Sequence, residues 1–367
     1  MRTGLLTIRH GSSRKARIFC AAEFNSPVMN AEAGGKRSGE ALAVSFQQES
    51  CFGRIKSPDF QREVTCMQYT TLGQTGIRVS KLGLGGAPLG GDFGATTEEE
   101  IERVIHTALD SGINFIDTAP LYGNGQSELR IGRALKGRRA DTVLATKAVR
   151  RDQAYTYENT MSCFEDSLRR LQTDYIDLIQ LHELERTNFE EAMNGTVAAF
   201  LKLKEEGKVR AIGVNAGKPE ILLPFIASGK IDMVQNYGRY MLIDFSAREK
   251  LHPFAREHGV GIINGSVLGM GMLADSPAPF LANREMLEEA ERRKAQLDFL
   301  RKPGPKGLIE PAMRFSLTCP DIAVTLTGTS SVQSLLKNIG YCDGQGLTEA
   351  EQTLLFGLFD GLAPVFG

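Results

Sequence analysis

The chain has 367 residues, a formal net charge of −1, 24% charged and 42% hydrophobic side chains. That length holds one large barrel or two smaller domains, and so balanced a charge speaks against nucleic acid or an anionic membrane as a partner. No apolar run approaches the roughly 20 residues of a bilayer span, and the scattered cysteines (20, 51, 66, 163, 319 and 342) form no CxxC pair, which argues against a disulfide framework or zinc site and suits a reducing, intracellular compartment.

Residues 1–65 stand apart from the rest. Arg2, Arg9, Arg14, Lys15 and Arg17 all precede the first acid, Glu23, and Ser12 and Ser13 lie among them. This basic, acid-poor start resembles an organelle transit peptide, whereas Leu5, Leu6 and Ile8 make too short an apolar core for a secretory signal. Residues 30–64 show no sustained period and hold Gly34-Gly35 and Ser57-Pro58. We read 1–65 as leader and linker without fixed structure, addressed to a plastid or mitochondrion. An upstream extension with no targeting role has the same composition and would leave the protein cytoplasmic.

From Gln68 the pattern sharpens, and residues 66–367 read as the folded domain. Tyr69–Leu72 and Ile77–Ser80 flank Gly73-Gln-Thr-Gly76, the mark of a hairpin. Lys81–Gly86 is a first barrel strand, running into a glycine-rich loop. Thr97-Glu-Glu-Glu100 predicts a capping box, and Ile101, Val104, Ile105, Ala108 and Leu109 fall on one helical face. Strand 114–117 follows at once. Helices over 127–136 and 157–170 lead to strands 142–147 and 176–182. A helix over 189–206, with Met193, Val197, Phe200 and Leu201 inward, precedes strand 209–215. Further strands are expected at 233–237, 260–265 and 324–328, then a helix through Asn338 and a last one over 348–358. Eight apolar strands alternating with helices fit a closed parallel (β/α)8 barrel of the TIM type, with an N-terminal β-hairpin and a C-terminal helical extension. A doubly wound sheet is disfavoured, since no GxGxxG follows the first strand.

Loops at the carboxyl ends of barrel strands share one mouth. Asp117, Lys147 and His182 end three consecutive strands, and Tyr122 follows Pro120 on the loop beyond Asp117. Taken singly, each has a plain structural reading: a turn-capping carboxylate, a strand-end lysine, a satisfied histidine. Together they suggest chemistry. Asp117 could pair the otherwise costly Lys147. A lysine charge near Tyr122 is expected to lower its phenol toward neutrality and make it a general acid or base. His182 could hydrogen-bond a substrate oxygen.

Asp117, Tyr122, Lys147 and His182 resemble the tetrad of the aldo-keto reductases, and so do Gly112–Gly123, Arg170–Asp177 and Gly207–Val214. The resemblance covers about residues 68 to 345. It implies a barrel whose bottom the hairpin plugs and a nicotinamide cofactor lying extended over the mouth. It implies Tyr122 as proton donor or acceptor, Lys147 and Asp117 as its pKa-setting pair, and His182 as the group orienting substrate. It assigns to the cofactor Gln235 for the carboxamide, Asn215 where the family usually has Ser, and Gly86, Ser266 and Leu268. Gly328, Thr329 and Ser330 open a helix suited to phosphate, and Asn338 matches an adenine-contacting Asn. Gly265 stands where a stacking tyrosine is common. Ser334 replaces the arginine that meets the 2′-phosphate in NADP-preferring members, which favours NAD over NADP, although Lys337 could serve a phosphate.

Asn264–Leu273, Ala312–Leu317, Thr327–Ser331 and Gly85–Gly90 look like the branch of L-galactose and D-threo-aldose (L-fucose) dehydrogenases. That branch implies oxidation of the anomeric carbon of a free sugar to a lactone, without a metal. Two alternatives are a general NADPH-dependent aldehyde or ketone reductase and a non-catalytic barrel that binds nucleotide. The expected partner is a small sugar or carbonyl compound, and the expected assembly a monomer or weak homo-oligomer. The loops after Pro120, around 150–155 and around 274–284 are expected to choose the substrate.

Overall fold

The computed structural model describes residues 67–366, and the leader expected over 1–65 lies outside them. β1 (Tyr69–Thr71) and β2 (Arg78–Ser80) pair antiparallel, with Tyr69 opposite Ser80. Their turn needs Gly73 at φ +51, where a side chain would strike the Gly259 and Gly261 backbone.

The barrel strands follow, with helices between them. They are β3 (Leu82–Gly85), α1 (Ala87–Gly90), α2 (Glu98–Asp110), β4 (Phe115–Asp117), α3 (Gln126–Ala134), β5 (Val143–Ala148), α4 (Tyr157–Leu171) and β6 (Ile176–Leu181). The second half runs α5 (Phe189–Ala192), α6 (Ala198–Glu205), β7 (Val209–Ala216), α7 (Pro219–Ala227), β8 (Met233–Tyr237), α8 (Leu251–Glu257), β9 (Gly261–Gly265), α9 (Arg284–Lys294), α10 (Ile309–Leu317) and β10 (Ile322–Gly328). α11 (Val332–Gly340) and α12 (Glu349–Phe359) complete the chain. Strands β3 to β10 close in sequence order, with β10 pairing β3 in parallel, so the expected (β/α)8 barrel is the observed one. The capping box at Thr97 forms, and a second, from Thr348 to Glu351, starts α12. No described helix is long and apolar enough to cross a membrane.

Two apolar layers hold this together. Phe115, Val143, Leu178, Met233 and Ile263 fill the barrel interior, and Leu72, Ile77 and Val79 join them from the hairpin, which thereby closes the amino end. A larger cluster, including Ile105, Phe164, Phe200 and Leu251, lies between strands and helices.

The helix expected over 189–206 is corrected in its middle. Met193–Val197 forms a π turn between α5 and α6, and the extra residue shifts the phase. Leu203 is buried and Leu201 is exposed, contrary to the expected face. The loop expected around 274–284 runs to Asn283, which caps α9 through Met286 N.

Phe115 is fully buried inside the barrel. Phe115→Ala is expected to lower stability by about 3–5 kcal/mol, read as a lower urea midpoint with an unchanged m-value.

Candidate active site

Buried parallel strands leave side chains no water, so a charge there must be paired. Lys147, fully buried on β5, donates to both Asp117 oxygens on β4 at 2.8 and 2.7 Å and to the Thr118 carbonyl at 2.9 Å. All three ammonium protons are thus used. Strand register brings the pair together: Asp117 lies opposite Ala145, two residues before Lys147. Gln180 on β6 donates to Asp117 Oδ1 at 2.9 Å. This third partner escaped sequence reading, although Gln180 lies two residues before His182 and so shares its strand face.

Tyr122 follows β4 on a short turn stabilised by Asp92, whose carboxylate accepts from Gly123 N at 3.0 Å. Gly123 holds φ +56 against the Gly90 backbone, where a Cβ has no room. The Lys147 ammonium lies 4.9 Å from the Tyr122 ring centre, and the His182 ring stands edge-on to it at 5.9 Å. One mouth therefore gathers the four candidates.

The electrostatics correct one expectation. The Tyr122 phenol is raised, not lowered: burial outweighs the Lys147 charge, and Asp117 opposes that charge from bonding distance. Burial alone would lower the Lys147 ammonium, yet Asp117 and Tyr122 outweigh it and hold the ammonium charged. His182 is pushed well below its ordinary value by burial, then by the Lys147 and Arg151 charges, so its ring is neutral near pH 7. The arrangement presents a protonated phenol and a neutral imidazole beside a fixed cation. These groups can donate a proton to a carbonyl oxygen, or accept one from a hydroxyl once the phenol ionises.

The residues expected at a cofactor come from β7 to β10 and the segments that follow them, with Gly86 after β3. Asn215 is the second-last residue of β7, and its amide donates to the Gln235 carbonyl at 3.3 Å. Gln235 on β8 is buried and its Oε1 has no hydrogen-bond partner. Such an orphan acceptor suits a carboxamide N–H. Ser266 and Leu268 follow β9, Ser266 at φ +58. Gly328 ends β10, and Thr329, Ser330 and Ser331 lead into α11, whose cap is Ser331 on Ser334 N at 3.3 Å. Ser334 and Lys337 are exposed. Asn338 is buried and donates to Thr327 Oγ1 at 2.7 Å, so its amide nitrogen braces β10.

Gly86 seats the loop that follows β3. Its N–H donates to the Asp117 carbonyl at 2.7 Å and its carbonyl accepts from Ser127 at 2.8 Å. Both backbone groups are engaged in seating the β3 loop on β4. At Gly265 a Cβ would meet Tyr237 Cβ at 3.2 Å. A polar rim beside His182 was also missed. Arg151 pairs with Glu183, Tyr155 OH donates to the His182 carbonyl at 3.0 Å, and Glu185 accepts from Gly217 N at 2.6 Å.

Comparison with known proteins agrees with this geometry. The sequence profile of the aldo/keto reductase family matches residues 81–354. L-galactose dehydrogenase of Arabidopsis thaliana is 32% identical over 286 residues, covering 75% of this chain and 88% of that protein. D-threo-aldose 1-dehydrogenase of a Pseudomonas species is 31% identical over 228 residues, covering 55% and 69%. The holo form of an aldo-keto reductase from Bacillus halodurans superposes with a TM-score of 0.67 at 29% identity, covering 81% of this chain and 98% of its own.

A histidine kept neutral by the fold makes stability pH-dependent. The unfolded chain protonates His182 near pH 6.5 and the folded chain does so only well below it, so the unfolded state gains protons first as pH falls. Folding stability should drop below about pH 6.5 by up to about 1.4 kcal/mol per pH unit from this residue. Urea titrations from pH 8 to 5 should show a shallower decline in His182→Asn.

Proposed function

The chain belongs to the aldo/keto reductase family, and on that footing we propose that it is an NAD(P)-dependent oxidoreductase oxidising the anomeric carbon of a free aldose to the aldonolactone. The observation that carries the reading is the buried Lys147–Asp117 pair beside Tyr122, with a neutral His182 at the same mouth. Similarity to two sugar dehydrogenases supports the substrate class.

A bound nicotinamide dinucleotide would supply the hydride acceptor. Gln235, with its orphan Oε1, suits the carboxamide, and the turn from Gly328 to Ser331 suits the phosphates, since it leads into the N-terminus of α11, where first-turn N–H groups have no partner within the helix and only Ser334 N is capped by Ser331. The rest falls to the chain. His182 and Tyr122 hold the C1 hydroxyl. Tyr122, once ionised, takes the hydroxyl proton as C1 gives up its hydride, and C1 becomes the lactone carbonyl. Lys147 stabilises the phenolate and Asp117 keeps Lys147 charged and in place. The raised Tyr122 phenol favours a second reading, carbonyl reduction, because at neutral pH the phenol is a proton donor.

The two readings are separated with the full-length chain by absorbance at 340 nm. NAD or NADP is offered with L-galactose, L-fucose or D-arabinose, and NADH or NADPH with simple aldehydes. Lactone-forming reduction of the dinucleotide supports the first reading. Consumption of NADPH with aldehydes alone replaces it with the second, and binding without turnover on any substrate removes both.

Three further outcomes are expected. Because the phenol is raised, sugar oxidation should gain rate as pH rises through the alkaline range and aldehyde reduction should lose it. Tyr122→Phe should abolish both profiles and lower kcat by about 10²–10⁴. Ser334→Arg should move preference toward NADP by roughly ten- to a hundredfold in kcat/KM, since it offers a charge-assisted partner to the 2′-phosphate.

A further inference from the structure

A second group of chemistry-bearing side chains lies at the opposite end of the barrel, where β10 begins. We propose that His252, Cys319 and Asp321 form a site for a borderline-soft divalent cation, zinc above all, tying α8 to the start of β10.

The geometry comes first. His252 Nδ1 stands 3.9 Å from Cys319 Sγ and 3.8 Å from Asp321 Oδ2, and the three donor atoms lie within 4.8 Å of one another. Tetrahedral zinc with Zn–S of about 2.3 Å and Zn–N or Zn–O of about 2.0–2.1 Å sets its ligands roughly 3.3–3.6 Å apart. Shortening the two distances to His252 by roughly 0.3–0.5 Å, and the Cys319–Asp321 distance by up to about 1.2 Å, would close the set, within the reach of side-chain rotation. One sulfur, one imidazole nitrogen and one carboxylate oxygen are the donor types zinc takes, and three protein donors leave a fourth position to solvent.

The surroundings hold each donor in place. Arg256 binds Asp321 Oδ1 at 2.6 Å, which turns Oδ2 toward His252. The Cys319 carbonyl accepts from Lys81 Nζ at 3.2 Å and from Ile322 N at 3.4 Å, which fixes the backbone that carries its sulfur. The Tyr240 ring covers His252 at 4.8 Å and stacks on Phe315 at 4.6 Å. His252 and Cys319 are buried, while Asp321 keeps a path to solvent.

Protonation agrees with this. Burial pushes His252 down to about 4, so its nitrogen is available at neutral pH. Burial pushes the Cys319 thiol up, so the metal must displace its proton: the S–H bond breaks, the sulfur–metal bond forms, and the proton goes to solvent. Lys81, Arg248 and Arg256 face the cluster with positive charge. A dication with one thiolate and one carboxylate leaves the ligand set itself neutral. None of the three donors belongs to the mouth, so occupancy is a separate property from the oxidoreductase reading.

The test uses the full-length chain stripped with a chelator, then titrated with CoCl2 or ZnCl2. One Zn²⁺ per chain with proton release is expected, as is a thiolate-to-cobalt charge-transfer band with Co²⁺. Cys319→Ser should abolish the band, His252→Gln and Asp321→Asn should weaken binding at least tenfold, and Cys342→Ser, which alters another buried thiol, should change nothing. Absence of the band, or its persistence in Cys319→Ser, as cysteines 20, 51 or 66 would produce, overturns the proposal. Should Cys319→Ser fail to fold, the partly exposed Asp321 decides: unchanged affinity in Asp321→Asn also overturns it.

Discussion

The Lys147–Asp117 ion pair is the constraint on which the mouth depends. It is fully enclosed, and an enclosed pair is sustained only when the remaining donors and acceptors are used. Here they are. The ammonium spends its third proton on the Thr118 carbonyl, and Gln180 reaches the same carboxylate from the next strand. Three adjacent strands are therefore held in one register by a buried polar contact at the mouth of the barrel. That contact fixes the position of a positive charge beneath Tyr122 without exposing it to water.

The same pairing limits what the charge can do. A lone lysine beside a phenol draws the proton off it. A lysine already matched by a carboxylate does much less, and burial of the ring then wins. The free protein thus stands ready to give a proton, and removing one takes alkaline solution or another nearby cation. The direction in which such a site works depends on the balance of three neighbours, a finer matter than the presence of the four residues.

Division of labour runs along the barrel axis. At the carboxyl ends, β4 to β6 carry the proton-handling groups, while β7 to β10 present polar atoms such as the unpartnered Gln235 Oε1. At the amino ends, the hairpin's Leu72, Ile77 and Val79 seal the interior, and His252, Cys319 and Asp321 cluster beside the seal. The closed strand order lets these two ends be built independently.

How much of this was legible in the sequence follows from the range of each interaction. Strand and helix alternation, the hairpin turn at Gly73-Gln-Thr-Gly76 and the capping box at Thr97 depend on neighbours a few residues apart, and all were readable. Asp117, Lys147 and His182 were readable as strand ends because closure of a parallel barrel puts every strand end on one rim. Residues 67 apart, such as His252 and Cys319, carry no such mark. Nor did the π turn that moves Leu201 outward, the use of Gly86's backbone by Asp117 and Ser127, or the third bond from Gln180. The sequence by itself determined which strand-end groups line the mouth at the carboxyl end of the barrel, since periodicity and local text set that. Only the tertiary structure decided their protonation and their partners, because burial and the exact neighbours across strands are properties of the closed barrel and of no single segment.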